Sequence, residues 1–269
     1  MIELVLGDCI KVMKKFASEG RTFDMVFVDP PYIEWHTGRT GDKPPSHLHI
    51  SYLSYRLVKP DGVVFLCGTL NSLLKVWRIW SKYFKLLYEH IWVKPRGLPP
   101  INKKRPLPAH ENIWCLYRRD AKLHELKIDI ERAAKVKRVE PRHLGMKMRY
   151  GDQIKEKGKQ MKTAAAEKKY PKDVTEAEII SKGHREYVGH PTQKPLRLMR
   201  LLVKISTDKD DWVLDPFMGS GTTLVACAEL GRSAVGIEID PKYYNYAKSR
   251  LLSIKGLEKY LRERNAGVK

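Results

Sequence analysis

The stretch Asp215-Pro216-Phe217-Met218-Gly219-Ser220-Gly221-Thr222-Thr223 follows the apolar run Trp212-Val213-Leu214 and leads into the helical pattern Leu224 to Leu230. Strand, turn and helix are thus written in succession. Gly219 and Gly221, flanking Ser220, let backbone approach a ligand closely, and the amides of the helix start point at its negative or electron-rich groups. The stretch lacks the third glycine of the dinucleotide fingerprint and the Gly-Lys-Ser/Thr of a phosphate loop, which argues against both of those ligands. Glu238 closes the next apolar run, Ala234 to Ile239, where a carboxylate can accept both hydroxyls of a ribose. Asp240-Pro241 beside it reads as the cap and first residue of the following helix.

Outward from this turn, the hydrophobic periodicity gives helices over Leu196 to Ile205, Thr222 to Leu230 (ended by Gly231) and Tyr243 to Leu252. The other end of the chain alternates in the same way. A strand over Ile2 to Leu6 is followed by Gly7-Asp8-Cys9 and an amphipathic helix (Ile10, Val12, Met13, Phe16) that stops at Gly20. The next strand, Phe23 to Val28, delivers Asp29 at its carboxyl end, where open α/β sheets keep their chemistry. Then come a helix around Ser51 to Leu57, a turn at Lys59-Pro60-Asp61-Gly62, a strand Val63 to Leu66 and a helix Leu70 to Phe84. Strands Glu89 to Val93 and Asn112 to Tyr117 complete the block. Such alternation predicts a doubly wound α/β domain with a largely parallel sheet, built from residues 1–117 and 186–269.

Residues 118–185 break the pattern. They hold twenty Lys and Arg against eleven Asp and Glu, with little apolar periodicity, and read as an inserted basic segment. The whole chain carries a formal charge of +20, which attracts polyanions and speeds their capture, so nucleic acid is the leading partner class. No run approaches the roughly 20 apolar residues of a membrane span, and Met1 to Leu4 carries no charged leader, so the expectation is a soluble cytoplasmic protein with no membrane partner. Cys9, Cys67, Cys115 and Cys227 stand apart, without metal-ligand spacing, and are expected as isolated buried thiols with no metal bound.

Asp29-Pro30-Pro31-Tyr32 suits an exocyclic nucleobase amine, whose lone pair is delocalised into the ring. The Asp29 carboxylate and a carbonyl on the proline side can both accept from the NH2, favouring a pyramidal nitrogen. Two prolines fix the turn and remove competing N–H donors. Tyr32 offers an aromatic face for a base swung out of the duplex. Positioning and electrostatics would then supply most of the rate enhancement, with no covalent enzyme intermediate.

Val213 to Thr223, His190-Pro191-Thr192-Gln193-Lys194-Pro195 and Asp29-Pro30-Pro31-Tyr32 together resemble the signature set of DNA amino-methyltransferases acting on adenine N6 or cytosine N4. With the catalytic motif ahead of the cofactor motif and a basic segment between them, the order resembles the beta-ordered subgroup. The resemblance covers roughly half of the chain. It implies a Rossmann-like, S-adenosylmethionine-dependent methyltransferase fold with residues 118–185 as target-recognition insert. By motif position Asp215 and the turn Phe217 to Gly221, with Gly219, Ser220 and Gly221 at its bend, would face the methionine part of the cofactor, and Pro216 and Thr222 would belong to the same cofactor site. Glu238 would take its ribose and Asp8 its adenine amine, with Ile239 and Cys9 beside them. His190, Thr192 and Lys194 would meet the methionine carboxylate, Lys194 as charge and Thr192 as hydroxyl donor. Asp29 is shared between cofactor and target.

Asp rather than Ser at the first motif position resembles the adenine-N6 enzymes more than the cytosine-N4 ones. Cytosine N4, an RNA or free-amine substrate, and a non-catalytic DNA-binding protein with this fold stay open as alternatives. Double-stranded DNA is the expected partner, and the resemblance leaves open a homodimer and a cognate restriction endonuclease. Ile33 to Ile50 reads as a lid or DNA-contacting loop, and Lys94, Arg96 and Lys103-Lys104-Arg105 as phosphate contacts. Trp77, Trp80, Trp92 and Trp114 are expected in the core.

Overall fold

Met25 and Phe27 face one side of strand β2 (Phe23–Val28), Val26 and Val28 the other, and all four are buried. A strand covered on both faces belongs inside a sheet flanked by helices. The computed structural model describes residues 1–31, 46–95, 106–138, 166–254 and 261–265. The strands are β1 (Ile2–Leu6), β2, β3 (Val58–Gly68), β4 (Phe84–Val93), β5 (His110–Arg118), β6 (Lys135–Arg138), β7 (Ala166–Lys169), β8 (Val174–Glu176), β9 (Trp212–Asp215), β10 (Ser233–Glu238) and β11 (Leu261–Asn265). Among the described residues nine of them form one sheet in the order β11-β1-β10-β9-β2-β3-β5-β4-β8, while β6 and β7 pair as a separate antiparallel ribbon.

Only β5 runs against the other strands of this sheet. The carboxyl ends of β1, β10, β9, β2, β3, β4 and β8 therefore lie along one edge, joined there by the amino end of β5. Helices α4 (Leu196–Ser206), α5 (Thr222–Glu229) and α6 (Pro241–Leu252) pack on the Met25/Phe27 face. Helices α1 (Cys9–Ser18), α2 (His47–Leu57) and α3 (Leu70–Trp80) cover the other. From β9 the chain leaves toward α5 and from β2 toward α2, on opposite faces, although β9 and β2 are hydrogen-bonded neighbours. That divergence opens a crevice at their carboxyl ends, the switch point where doubly wound sheets bind ligands.

The expected strands and helices are present, with differences at three places. Lys59 to Gly62, read as a turn between helix and strand, lies inside β3, where the register slips between Phe23 and Met25 to absorb the extra residues as a bulge. Phe84 opens β4 instead of ending α3, because the helix is capped at Ser81 and the aromatic ring fills the core between Tyr55 and Trp80. Helix α2 starts at His47, before Ser51; the rest of the expected lid, residues 33–45, lies outside the described residues. Trp80, Trp92 and Trp114 are buried as expected, and Trp77 half-buried, its ring edge-on to Trp114.

Both flanks of the 118–185 stretch are tied to the sheet domain. Lys127 Nζ donates to Asp24 Oδ1 and Asp211 Oδ1, each at 2.8 Å, and Arg132 Nη2 to Asp208 at 2.9 Å. Asp24, buried at the amino end of β2, also accepts from Lys59 and from the Trp212 amide. Burial by itself would raise its carboxyl, yet these donors hold it below the ordinary carboxylate range. On the return, β8 adds a parallel strand beside β4.

Candidate active site

Asp215, Asp29 and Glu238 each end an apolar strand (β9, β2 and β10) on the same edge of the sheet. One cleft is lined by Phe27 and Asp29, by His190 to Lys194 without Pro191, and by Asp215, Phe217 to Ser220, Thr222 and Thr223. The catalytic and glycine-rich motifs therefore share a crevice, although 186 positions separate Asp29 from Asp215.

The glycine turn is shaped by backbone. Gly219 has φ +48° and a Cβ there would come within 2.9 Å of His190 Nε2; Gly221 has φ +73° and a Cβ would meet Ala247 Cβ at 2.9 Å. Side chains are thus excluded by conformation and by space at once. Glu238 stiffens the turn: its Oε2 accepts from the Gly219 amide at 3.0 Å and its Oε1 from Ile239 and Asp240, each at 2.9 Å. Asp240 caps α6 by accepting from the Lys242 amide, with Pro241 as the first helical residue, as its dipeptide foretold. Arg250, half-buried and absent from the sequence reading, donates to Thr222 Oγ1 at 2.8 Å and so anchors the turn from below. Its guanidine had no signal beyond helix spacing.

Asp215 is buried and accepts from the Phe217 amide at 3.0 Å. Burial pushes its carboxyl up to about 7; hydrogen bonds from Thr223 and Phe217 oppose this, while Asp29 and Glu238 add repulsion. An acid so placed gains from a cation arriving in the cleft. His190, edge-on to Tyr243 at 4.4 Å, is pushed down to about 4 by burial and by Lys194, which keeps its ring neutral at neutral pH. Thr192 is exposed at the rim.

Lys194 Nζ lies 2.6 Å from Asp29 Oδ2 and 3.5 Å from Glu111 Oε2. Burial would push this ammonium down, but Asp29 and Glu111 outweigh it and hold it above its ordinary value. Lys94 belongs to the same cluster: it is buried and pairs with Glu111, so its reading as a phosphate contact is corrected. Buried charge needs a partner, and the carboxylate of Glu111 is within reach because β5 runs antiparallel. Gln193, outside the expected set, is also buried; it accepts from the Val188 amide and donates to the Glu186 carbonyl, bracing the loop that carries Lys194.

Asp8 caps α1, accepting from the Lys11 amide at 2.8 Å, next to the Gly7 amide that donates to the Glu238 carbonyl. Cys9 is buried, its thiol pushed up to about 12 by burial and by Asp8. Ile239 is 62% exposed beside Glu238, an apolar surface at the crevice mouth. Pro216 is buried and Pro30 and Pro31 line a second, apolar recess with Leu66, Leu73 and Val76. Tyr32, Arg96 and Lys103 to Arg105 lie outside the described residues. Among the described residues no His, Cys, Asp and Glu group has metal-holding geometry, and no helix is long and apolar enough to cross a membrane.

A doubly wound sheet with a glycine turn and an acid-proline turn in one switch-point crevice defines a methyltransferase-type site, and comparison with known proteins agrees. The family model described as DNA methylase, covering N6 and N4 enzymes, matches residues 23–249. The chain belongs to this family and is an S-adenosylmethionine-dependent DNA methyltransferase. It is 28% identical over 267 residues to the type II methyltransferase M2.MboI of Moraxella bovis, covering 91% of this chain and 85% of that one. M2.DpnII of Streptococcus pneumoniae is 27% identical, with 92% and 88% covered. The solved M1.HpyAVI–SAM complex superposes with a TM-score of 0.63 at 25% identity, covering 93% of this chain and 99% of that one. The cytosine-N4-specific PvuII DNA methyltransferase shares the fold, with a TM-score of 0.64 at 17% identity over 96% and 88% of the two chains.

The residues present fit that cofactor. The cradle admits no side chain at Gly219 or at Gly221, and Asp215 is a buried acid whose carboxylate form a cation would favour.

Proposed function

We propose that the protein methylates the exocyclic N6 of adenine in duplex DNA, with Asp29 as the hydrogen-bond acceptor for the target amine. The observation that carries this reading is the shared cleft of Asp29 and the Gly219–Gly221 turn. S-adenosylmethionine supplies an electrophilic methyl group when bound. Asp215 and the turn hold its methionine end, Glu238 and Ile239 its ribose side, and Asp8 its adenine side. His190, Thr192 and Lys194 close the crevice around the carboxylate.

Asp29 draws one N–H of the target amine, and the backbone carbonyls of the Pro30–Pro31 turn accept the other. Both bonds favour a pyramidal nitrogen with its lone pair available for transfer. Pro30 and Pro31 bring no N–H of their own to compete. The amine is paired inside a duplex, so the base must be swung out, with Tyr32 as its stacking partner. Residues 118–185 act as the basic target-recognition insert between catalytic-domain segments 1–117 and 186–269.

Asp at position 29 supports adenine over cytosine, the second reading within the family. The relatives' type II designation supports a cognate restriction endonuclease as functional partner, and a homodimer and a cytoplasmic location accompany the proposal. Transfer of labelled methyl to duplex DNA, followed by digestion to nucleosides, separates the bases. N6-methyladenine is the expected product. N4-methylcytosine would replace the adenine assignment while leaving the family intact.

A further inference from the structure

Beyond the sequence motifs, the crevice floor holds a second acid and a second lysine. Lys94 pairs with Glu111 Oε1, Glu111 Oε2 lies 3.5 Å from Lys194 Nζ, and Lys194 Nζ lies 2.6 Å from Asp29 Oδ2. Charge thus alternates from the end of β4 to the end of β2, and none of the four side chains is more than 16% exposed. The Trp92 ring underlies both ammoniums, 4.7 Å from Lys94 Nζ and 5.9 Å from Lys194 Nζ. Withdrawing four ions from water is costly, and packing alone would be served as well by apolar side chains of the same volume. The arrangement therefore calls for a role in which the charges matter.

We propose that Glu111 and Lys94 are positioning residues for methyl transfer: by sharing Lys194 with Asp29, they set how tightly the Asp29 carboxylate is held and keep it available to the target amine. This rests on Asp29 being the acceptor, as proposed above. Without the charge on Glu111, the attraction of Lys194 concentrates on Asp29, whose oxygens become poorer acceptors. Without Lys94, Glu111 draws Lys194 away and Asp29 is left less neutralised. Asp215 from β9, the Cys67 thiol from β3 and His190 from the loop before α4 also face this cluster among the described residues; burial holds the thiol well above its ordinary value, and burial with Lys194 holds the imidazole down to about 4, so neither adds charge at neutral pH.

The test measures kcat, KM and the pH profile of methyl transfer to duplex DNA for Glu111→Gln, Lys94→Met, the double variant and Asp29→Ala. Thermal melting and S-adenosylmethionine binding check the fold of each. Glu111→Gln is expected to lower kcat about tenfold, with KM little changed, and to move the acid limb about one pH unit lower. Lys94→Met moves the limb about one unit higher, and the double variant, again charge-balanced, returns it toward wild type. Loosened packing would not shift the limb in opposite directions. Where Glu111→Gln folds poorly, Glu111→Asp keeps the charge and is expected to keep the limb. Folded single variants with an unmoved limb, beside an impaired Asp29→Ala, overturn this inference alone. Undiminished turnover in Asp29→Ala removes the acceptor and the inference with it.

Discussion

Lys194 Nζ donates a 2.6 Å hydrogen bond to Asp29 Oδ2 across 165 positions of sequence, with both side chains withdrawn from solvent. The pair joins the loop before α4 to the end of β2, and so joins the cofactor side of the crevice to the catalytic turn. A buried pair of this kind is held by geometry as much as by charge, because losing one partner strands the other.

Gly219→Val tests the backbone cradle. The residue sits at φ +48° with His190 Nε2 2.9 Å from where a Cβ would be, and its amide donates to Glu238. A β-branched side chain there costs about 1–3 kcal/mol of backbone strain, so the turn is expected to open before the sheet does. Calorimetric titration should show S-adenosylmethionine affinity down by about tenfold or more, with the melting temperature lowered only by the strain. Unchanged affinity would separate Gly219 from the cofactor.

Asp215 gives a pH dependence with a defined sign. Its carboxyl keeps a proton up to about pH 7 in the fold, chiefly through burial, whereas the unfolded chain releases it near pH 3.9. Between those values the native state binds more protons, so this group's contribution to stability is present at low pH and is lost as pH rises toward 7. A cationic ligand reverses the trend by favouring the carboxylate: S-adenosylmethionine affinity should rise between about pH 6 and 7.5 and then level off. Asp215→Asn should flatten both slopes, which melting and titration across that range would show.

Lys127→Met tests whether the start of the 118–185 stretch is structural. Lys127 bridges buried Asp24 and Asp211, while Asp24 keeps Lys59 and the Trp212 amide. The expected loss is about 2–3 kcal/mol, below that for a buried charge left with no partner. Denaturant unfolding measures it, and methyl transfer at low temperature should be unchanged, since the cluster lies at the opposite end of β2 from Asp29.

Much of this site was legible because the chemistry sits where apolar runs stop. Asp29, Asp215 and Glu238 each follow a run of buried strand residues, and parallel alternation brings such ends to one edge. Glu111 and Lys94 were not legible as site residues. Periodicity reports a strand over Asn112 to Tyr117 but not its direction, and only an antiparallel β5 carries Glu111 to the crevice. In the sequence Lys94 reads as a phosphate contact, because lysines after a strand usually face solvent; its partner lies 17 positions away across the β4–β5 connection. The Lys59–Gly62 bulge was hidden for a related reason, since Pro-Asp-Gly favours turns and only pairing with β2 draws it into the sheet.

Methyl transfer by Asp29→Ala, followed together with cofactor binding, bears most directly on the convergence of the two motifs. At saturating S-adenosylmethionine, label incorporation into duplex DNA should fall by roughly 10²–10³-fold or more. The dissociation constant for the cofactor should stay within about threefold of wild type, a difference under 1 kcal/mol. Near-full turnover in this folded variant would contradict the account, because the crevice would then perform its chemistry without the carboxylate placed at its centre.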